Sequence, residues 1–434
     1  MALRMMDIYE EHLDEAAFLW SQWERALAAP DHDLEDTAAL EERLLAHLDG
    51  LVIGGAPVAR ELLMPALGSE DPPRIASAFW AQVEAPEGMS LEETVNLLVA
   101  APPKLLPSLQ RALELSGRQE LGGALLPLLR RTEPVFPALA LHVLAFRGEA
   151  GSEASMEWLR HADGSVVAAA LRGMRPLPRE MDSLTLSRLL ADPRPGVAEA
   201  ALEAGLVAGA RVAWNACCQA VEGRTGAGRL PLALLAVGGE EGNLKPLLER
   251  AGSEELRADA IWALGFSGRV AAAEACLELM GAEPMAPLAG EAFCAITGLR
   301  LEGPYVLPRM EEEAALPPLE EELDQDLELR PESALPMPDR QAMAAWWMRM
   351  RKDFARGTRY LRGRVFNNEG LLEELERGPM RRRHVHALEL AIRSRGACLL
   401  QTRAFAQRQR TELRKARAEQ ARLSATPFAR IFGG

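Results

Sequence analysis

Aromatic and basic residues alternate along one stretch, WWMRMRKDFARGTRYLRGRVFN at residues 346–367. Rings interleaved with arginine can stack on nucleic-acid bases while the guanidiniums neutralise phosphates. The same guanidiniums can instead pair with protein carboxylates, which match their planar geometry. Trp347, Met350 and Phe354 also fall at i, i+3 and i+7, the spacing of an ordinary buried helix face. The partner-binding residues predicted from this stretch are Trp346, Arg356, Arg359, Arg362 and Arg364.

A second basic string, MRRRHVHALELAIRSRG, follows at residues 380–396. Its arginine triplet occupies the first turn of a predicted helix, where positive charge opposes the helix dipole and an anionic partner would relieve that opposition. The string also fits an amphipathic helix that turns Val385, Leu388 and Ile392 inward. The triplet completes the predicted partner-binding set with Arg381, Arg382 and Arg383.

Sequence signatures of enzymatic chemistry are missing from the chain. It contains no GxGxxG after a strand, no GxxxxGK[ST], no HExxH, no GxSxG and no CxxC. His384 and His386 project about 200° apart on a helix, so they cannot both ligate one metal. We therefore predict no catalytic residue, no cofactor and no metal site, and a protein that is not an enzyme.

Charge divides the chain into two parts of opposite sign. Residues 340–434 carry 22 Lys plus Arg against 8 Asp plus Glu, whereas residues 1–339 carry 27 against 55. The acidic part would repel nucleic acid, and the basic part is suited either to nucleic acid or to acidic protein. We predict that the basic part docks on the acidic body or on an acidic partner, and that nucleic acid is not its main ligand.

Ala-rich segments recur along the middle of the chain at a period near 30 residues, and most close at or near a glycine. Glycine suits a helix C-terminus because it accepts the left-handed conformation. Leu-rich segments lie between the copies, which indicates two helices per repeat. The equivalent positions are predicted to face a shared core: Leu144, Leu171, Leu202, Leu235, Leu264 and Ile296.

Helix pairs of this length cannot bury their apolar faces alone, so the period predicts an all-α solenoid of stacked pairs. In LRADAIWALGFSG, residues 256–268, Trp262 is expected to fill volume between layers while Gly265 and Gly268 end the helix. The predicted domains follow one another in chain order: an N-terminal helical cap at 1–100, the repeats at 101–302, an acidic Pro-rich linker at 303–339 and a basic helical region at 340–434.

Two local expectations concern the chain's ends. In the cap, Leu40, Leu44, Leu48 and Leu51 form one apolar stripe, and Glu41 is expected to point away from it. Near the C-terminus, AFAQRQRTELRKARAEQARLSA has few apolar residues, so this helix is expected to extend from the body or to fray.

The repeat segments LRADAIWALGFSG and DPRPGVAEAALEAG resemble second helices of HEAT-like repeats, of the short type found in phycobilin lyases. The order of segments along the whole chain is similar to a bacterial HEAT-like family of uncharacterised proteins, some encoded near type VI secretion genes. This resemblance implies a helical-repeat fold, and a function as an adaptor or immunity factor of such a secretion system.

The combined prediction is a non-enzymatic scaffold whose surface binds another protein. One alternative is a helical-repeat enzyme of the lyase or DNA-glycosylase kind, and another is nucleic-acid binding through the basic region. No apolar run approaches the ~18 residues of a membrane span, and the scattered cysteines suit a reducing compartment. We therefore predict a cytoplasmic protein without membrane association.

Overall fold

The computed structural model describes residues 2–151, 155–223, 228–308 and 331–432. In these ranges the chain is α-helical except for short turns, 3-10 and π segments and one two-stranded hairpin, which confirms the all-α class. None of the described helices is both long enough and apolar enough to cross a membrane.

The chain forms two compact units that do not follow chain order. The first unit contains residues 1–28, 32–213 and 375–422, and the second contains 29–31, 214–374 and 423–434. The basic region predicted at 340–434 therefore contributes to both units.

The α-helices up to residue 222 are α1 (Ala2–Ala26), α2 (Leu34–Ile53), α3 (Gly55–Val58), α4 (Met64–Ala66), α5 (Pro72–Glu84), α6 (Leu91–Ala100), α7 (Leu106–Leu115), α8 (Leu121–Leu125), α9 (Val135–Arg147), α10 (Gly164–Gly173), α11 (Ser183–Leu190), α12 (Val197–Ala208) and α13 (Arg211–Glu222). The later ones are α14 (Arg229–Gly238), α15 (Leu244–Ala251), α16 (Arg257–Ser267), α17 (Val270–Leu279), α18 (Ala286–Thr297), α19 (Arg340–Met350), α20 (Asn368–Arg377), α21 (Met380–Arg393), α22 (Ala406–Ala418) and α23 (Phe428–Ile431). The strands are β1 (Tyr360–Leu361) and β2 (Arg364–Val365). A π-helical turn spans Ala59–Leu63, and 3-10 turns span Pro103–Leu105, Leu126–Arg130, Met156–Arg160, Glu241–Asn243, Gly303–Tyr305, Pro331–Ala334, Arg351–Asp353 and Gln420–Arg422.

Alternate helices pack on one another in each unit. In the first unit α1 contacts α2 and α5, α5 contacts α7, α7 contacts α9, and α9, α10 and α12 follow in sequence. In the second unit α14 contacts α16 and α16 contacts α18, while α15 and α17 lie beside them. The six repeat positions are all buried, three in the first unit and three in the second, so their burial is confirmed but a single core shared by all six is not: Leu144, Leu171, Leu202, Leu235, Leu264 and Ile296.

Glycines end four of the Ala-rich helices in the left-handed conformation: Gly148, Gly209, Gly268 and Gly298. The other two copies differ, because the residue that follows α10 is Met174, with a φ of −97°, and Gly239 has a φ of −76°. The prediction that Gly265 ends its helix is wrong, because Gly265 lies buried inside α16. The helix continues past it to Ser267.

The apolar stripe of α2 is formed by Leu44, Leu48 and Leu51, with Leu40 half-buried. The expectation for Glu41 is wrong, since its side chain is buried. Asp33 begins the helix by accepting hydrogen bonds from the N–H groups of residues 35 and 36, and the Asp36 carboxylate accepts one from the Asp33 N–H, which completes a capping box.

The C-terminal helix α22 neither extends nor frays as expected, because it packs within the first unit. Its buried residues are Ala406, Gln409, Leu413 and Ala416, at spacings that form one helical face. This basic segment pairs with acidic side chains of the first unit, Arg403 with Glu24 at 3.2 Å and Arg410 with Glu35 at 2.7 Å, as predicted for docking on the acidic body. Arg111 of α7 joins it there by pairing with Glu24 at 2.5 Å and donating to the Arg403 carbonyl at 2.7 Å.

The acidic core of the predicted linker, residues 309–330, lies outside the described residues. Its flanks pair with each other in the second unit. The Leu307 N–H donates to the Met337 carbonyl at 2.9 Å, and the Asp339 N–H donates to the Tyr305 carbonyl at 2.8 Å. The two flanking stretches are therefore held side by side.

Candidate interaction site

The aromatic side chains of the basic stretch lie mainly inside the second unit. Trp347 and Phe354 are buried and Met350 is half-buried, but Phe354 lies beyond the end of α19, so the predicted residues do not form one continuous helix face. The Trp347 ring centroid lies 5.5 Å from that of Phe293 in α18 and 5.1 Å from that of Phe354. These rings therefore fix α19 to the helices of its own unit.

Trp346, a predicted partner-binding residue, is half-buried. Its ring centroid lies 6.1 Å from that of Phe293 and 6.4 Å from that of Trp347, with which it stacks. One part of the indole is held in place by these rings, and the other part faces solvent.

The hairpin of β1 and β2 docks through its backbone. Its turn residues, Arg362 and Gly363, both have positive φ values, 46° and 79°, as the tightest hairpin turns require. The N–H groups of Tyr360, Arg362 and Gly363 donate to the carbonyls of Gly268, Ala295 and Ile296 at 2.7, 2.9 and 2.9 Å. These carbonyls lie at the ends of α16 and α18, where helices leave acceptors without intrahelical partners.

The arginines around the hairpin differ in exposure. Arg359 is half-buried, with its guanidinium 4.0 Å from the Phe366 ring centroid. Arg362 pairs with Glu374 at 3.5 Å and Arg364 with Glu373 at 2.8 Å, and both arginines are exposed. Arg356 is also exposed. The structure thus places Arg356, Arg362 and Arg364 on the surface of the second unit.

The arginine triplet does start α21, as predicted, but it is not on the surface. Arg381, Arg382 and Arg383 are 4%, 2% and 0% exposed. Arg383 donates from Nε to the Leu375 carbonyl and from Nη1 to Gln409 Oε1, both at 2.7 Å. Burial lowers the pKa of Arg383 to about 10, and nearby Asp33 opposes this effect. A partner protein or nucleic acid cannot reach these side chains while the first unit keeps this conformation.

The rest of α21 is largely buried in the first unit. Val385 and Ile392 point inward as predicted, whereas Leu388 is half-buried. Glu389 is buried as well and accepts hydrogen bonds from Arg393, at 2.9 Å from Nε and 2.7 Å from Nη2. Within α21 the Arg393 charge is therefore paired with Glu389, whereas Arg383 donates to partners outside the helix.

No metal centre or reactive thiol emerges from the described residues. They contain no group of three or more His, Cys, Asp or Glu side chains that could hold a metal ion. Burial raises the pKa of the Cys218 thiol to about 11 and that of Cys294 to about 12. Both thiols are therefore protonated near neutral pH, and the thiolate, not the thiol, is the nucleophile.

Glu41 of α2 holds the start of α22 within the first unit. Its side chain is 5% exposed, and its two carboxylate oxygens lie 2.9 and 2.8 Å from the Ala406 nitrogen, which donates to them. A carboxylate at this end of a helix also meets the positive end of the helix dipole. Burial raises the pKa of Glu41 to about 7, against the opposing effects of the Ala406 N–H and of Arg410.

A groove of about 680 Å³ runs beside this attachment, between the start of α2, the end of α20 and one face of α22. Its lining residues are Asp33, Leu34, Glu35, Glu376, Arg377, Gln407, Arg410, Leu413, Arg414 and Arg417. Two ion pairs cross it, Arg410 with Glu35 at 2.7 Å and Arg417 with Glu376. We name it the arginine groove.

Sequence reasoning did not identify the arginine groove, although a signal for it was present. Arg410, Arg414 and Arg417 are spaced four and three residues apart, which places them on one helix face. Leu413 and Ala416 are spaced to form the buried face of the same helix, so α22 is amphipathic despite its low apolar content. The contribution of Arg377 from α20 depends on long-range packing.

Replacing Glu41 with Gln tests the attachment of α22. Because the folded-state pKa of about 7 exceeds the unfolded value near 4.5, the folded chain binds more protons between these values. The wild-type first unit should therefore lose stability, on the order of 2 kcal/mol, as pH rises from about 5 to 8. The stability of the Glu41→Gln variant should not show this decrease with pH. Urea denaturation of both proteins at the two pH values measures the difference.

Other titrating groups act equally on both proteins and cancel in that comparison. Among them are His47 and His142, whose pKa values burial lowers, that of His142 to about 4. Parallel pH profiles for wild type and Glu41→Gln would contradict the role assigned to Glu41.

Comparison with known proteins does not assign the chain to a family. No protein-family model matches the chain, and no curated protein matches it.

Proposed function

We propose that the protein is a non-enzymatic scaffold that binds another protein, built from HEAT-like helix pairs stacked as a solenoid. The packing of alternate helices supports the solenoid: α9, α10 and α12 follow one another in the first unit, and α14, α16 and α18 in the second. Stacks of this kind offer extended surfaces that bind partners. The resemblance to the HEAT-like family supports a narrower proposal, an adaptor or immunity factor of a type VI secretion system.

One observation supports this proposal most: the hairpin is fixed through its backbone, while arginines at and beside it face outward. Tyr360, Arg362 and Gly363 dock by main-chain hydrogen bonds, so the side chains of Arg356 and Arg364 take no part in these bonds. Arg356 and Arg364 are therefore presented from a rigid support, which reduces the entropy lost when a partner binds. Arginine suits this task because it pairs bidentately with carboxylates.

Replacing Arg356 and Arg364 together with Gln should reduce capture of the protein's partner. The immobilised full-length protein, exposed to a lysate of its native organism, should retain a defined protein that the double variant retains about tenfold less. The matched control replaces Lys245 and Arg300, two exposed cations of the same unit, with Gln. The proposal fails if both double variants capture equally, or if the captured material is nucleic acid that nuclease removes.

A further inference from the structure

We propose that the arginine groove of the first unit binds an acidic segment of a partner protein, chiefly through Arg377 and Arg414. This site is separate from the residues of the proposed function, because those belong to the second unit. It stands on the geometry of the groove and does not depend on the scaffold proposal.

The charge of the arginine groove is unbalanced. Arg410 and Arg417 are matched by Glu35 and Glu376. The third acidic group, Asp33, accepts two hydrogen bonds at Oδ1 from the N–H groups that begin α2, which holds its carboxylate at the helix start. Two exposed cations remain, and neither forms an ion pair with any residue in the described ranges of the chain.

Arg377 and Arg414, the two unmatched cations, are placed to receive a ligand. Arg414 is exposed, and it donates only to oxygens of its own helix, the Thr411 hydroxyl at 3.0 Å and the Arg410 carbonyl at 3.4 Å. Arg377 is exposed in the last turn of α20. A carboxylate placed beside either guanidinium would form the charge-assisted hydrogen bond that the fold leaves unmade.

The shape of the groove favours an extended peptide over a compact anion. Its cations follow α22 from Arg410 to Arg417, about 10 Å along the helix axis, whereas a phosphate gathers its donors around one point. The buried side chains of Leu34 and Leu413 supply an apolar floor. A volume of about 680 Å³ accommodates a few side chains of a short segment.

The groove's own carboxylates argue against nucleic acid as the occupant. Nucleic acid carries a charge at every nucleotide, so its backbone would meet Asp33, Glu35 and Glu376 as well as the arginines. A peptide can place its carboxylates beside Arg377 and Arg414 and neutral residues elsewhere. We therefore assign the site to an acidic segment that carries at least one apolar residue.

The wall that carries Arg414 is held in position before any ligand binds. Glu41 accepts from the Ala406 N–H at the start of α22, and Arg383 donates to Gln409 one turn later. Residues whose positions are already fixed lose little freedom on binding.

Fluorescence anisotropy with the full-length protein tests the site. The probe is a short labelled peptide of glutamates around a central leucine, and the comparison peptide has glutamine in place of every glutamate. We expect the glutamate peptide to bind, the glutamine peptide to bind at least about tenfold more weakly, and added salt to weaken binding. The double variant Arg377→Gln with Arg414→Gln should also bind about tenfold more weakly.

Two controls separate this site from the rest of the protein. Arg160→Gln with Arg179→Gln removes two exposed arginines of the same unit that do not line the groove, and Arg356→Gln with Arg364→Gln removes those of the proposed function. Both should bind the glutamate peptide as wild type does. If the second control loses the peptide instead, the groove proposal is wrong while the scaffold proposal stands.

Competition defines the chemical class of the ligand. Pyrophosphate and a single-stranded oligonucleotide should displace the peptide only at concentrations far above that of the unlabelled peptide. Equal peptide affinity for wild type and the groove variant would overturn the proposal. Stronger displacement by the oligonucleotide, dependent on Arg377 and Arg414, would overturn it in favour of a nucleic-acid site.

Discussion

Replacing Trp262 with Ala should lower the free energy of unfolding by about 3 to 5 kcal/mol, the usual cost of deleting a large buried aromatic side chain. The indole is 2% exposed. Its ring centroid lies 4.7 Å from that of Phe266 in the same helix and 3.8 Å from the guanidinium of Arg229 in α14. The substitution therefore opens a cavity and removes a ring that joins α16 to its neighbour.

Denaturant unfolding followed by circular dichroism measures this loss. Trp262→Phe is the matched control, because it keeps an aromatic ring in contact with Phe266 and should cost clearly less than the alanine variant. A loss below about 1 kcal/mol for Trp262→Ala would mean that the ring does not support the packing of α16.

Replacing Gly268 with Ala should cost about 3 kcal/mol, well above a typical glycine substitution at a helix end. Gly268 has a φ of 64°, so an alanine there pays roughly 1 to 2 kcal/mol for the left-handed conformation. Its added methyl group would also collide with the backbone of Tyr360. A backbone atom cannot move aside alone, so the hairpin must shift and weaken the bond from the Tyr360 N–H to the Gly268 carbonyl.

Two other glycines separate the cost of the collision with Tyr360 from the cost of the left-handed conformation. Gly148 ends α9 and Gly357 lies in the second unit; both have positive φ, and a methyl group at either would meet no atom within 4 Å. Gly148→Ala and Gly357→Ala should pay only the conformational cost. Amide hydrogen exchange at Tyr360 should accelerate in the Gly268 variant alone. Equal losses of stability for all three variants would show that the hairpin contributes nothing at this position.

The repeating helices were predictable because their signals are local. Leu171, Leu264 and Ile296 belong to segments that recur once per predicted helix pair. A glycine such as Gly298 is favoured where a helix ends in the left-handed conformation. The buried face of α19 was predictable for the same reason. Trp347 lies on that face, whereas Phe354, which shares the helical spacing, is buried although it lies beyond the end of α19.

The errors arose where a distant segment decides the environment of a side chain. Glu41 looks like a surface residue of an amphipathic helix, and only the docking of Ala406, far along the chain, buries it. Arg383 looks like a surface cation, but the Leu375 carbonyl and Gln409 satisfy its donors. Periodicity reports which face of a helix is apolar, whereas it carries no information about polar partners supplied by another helix.

The order of the two units along the chain has a consequence for synthesis on the ribosome. The first unit is complete only when residues 375–422 have emerged, after the whole of residues 214–374. At 5 to 20 residues per second this interval lasts roughly 10 to 40 s. During it the nascent N-terminal helices lack the contacts made by Phe405 on Trp23 and by Ala406 on Glu41. The apolar surface of those helices therefore stays exposed during this interval. A chaperone that binds exposed hydrophobic segments could bind the nascent chain there.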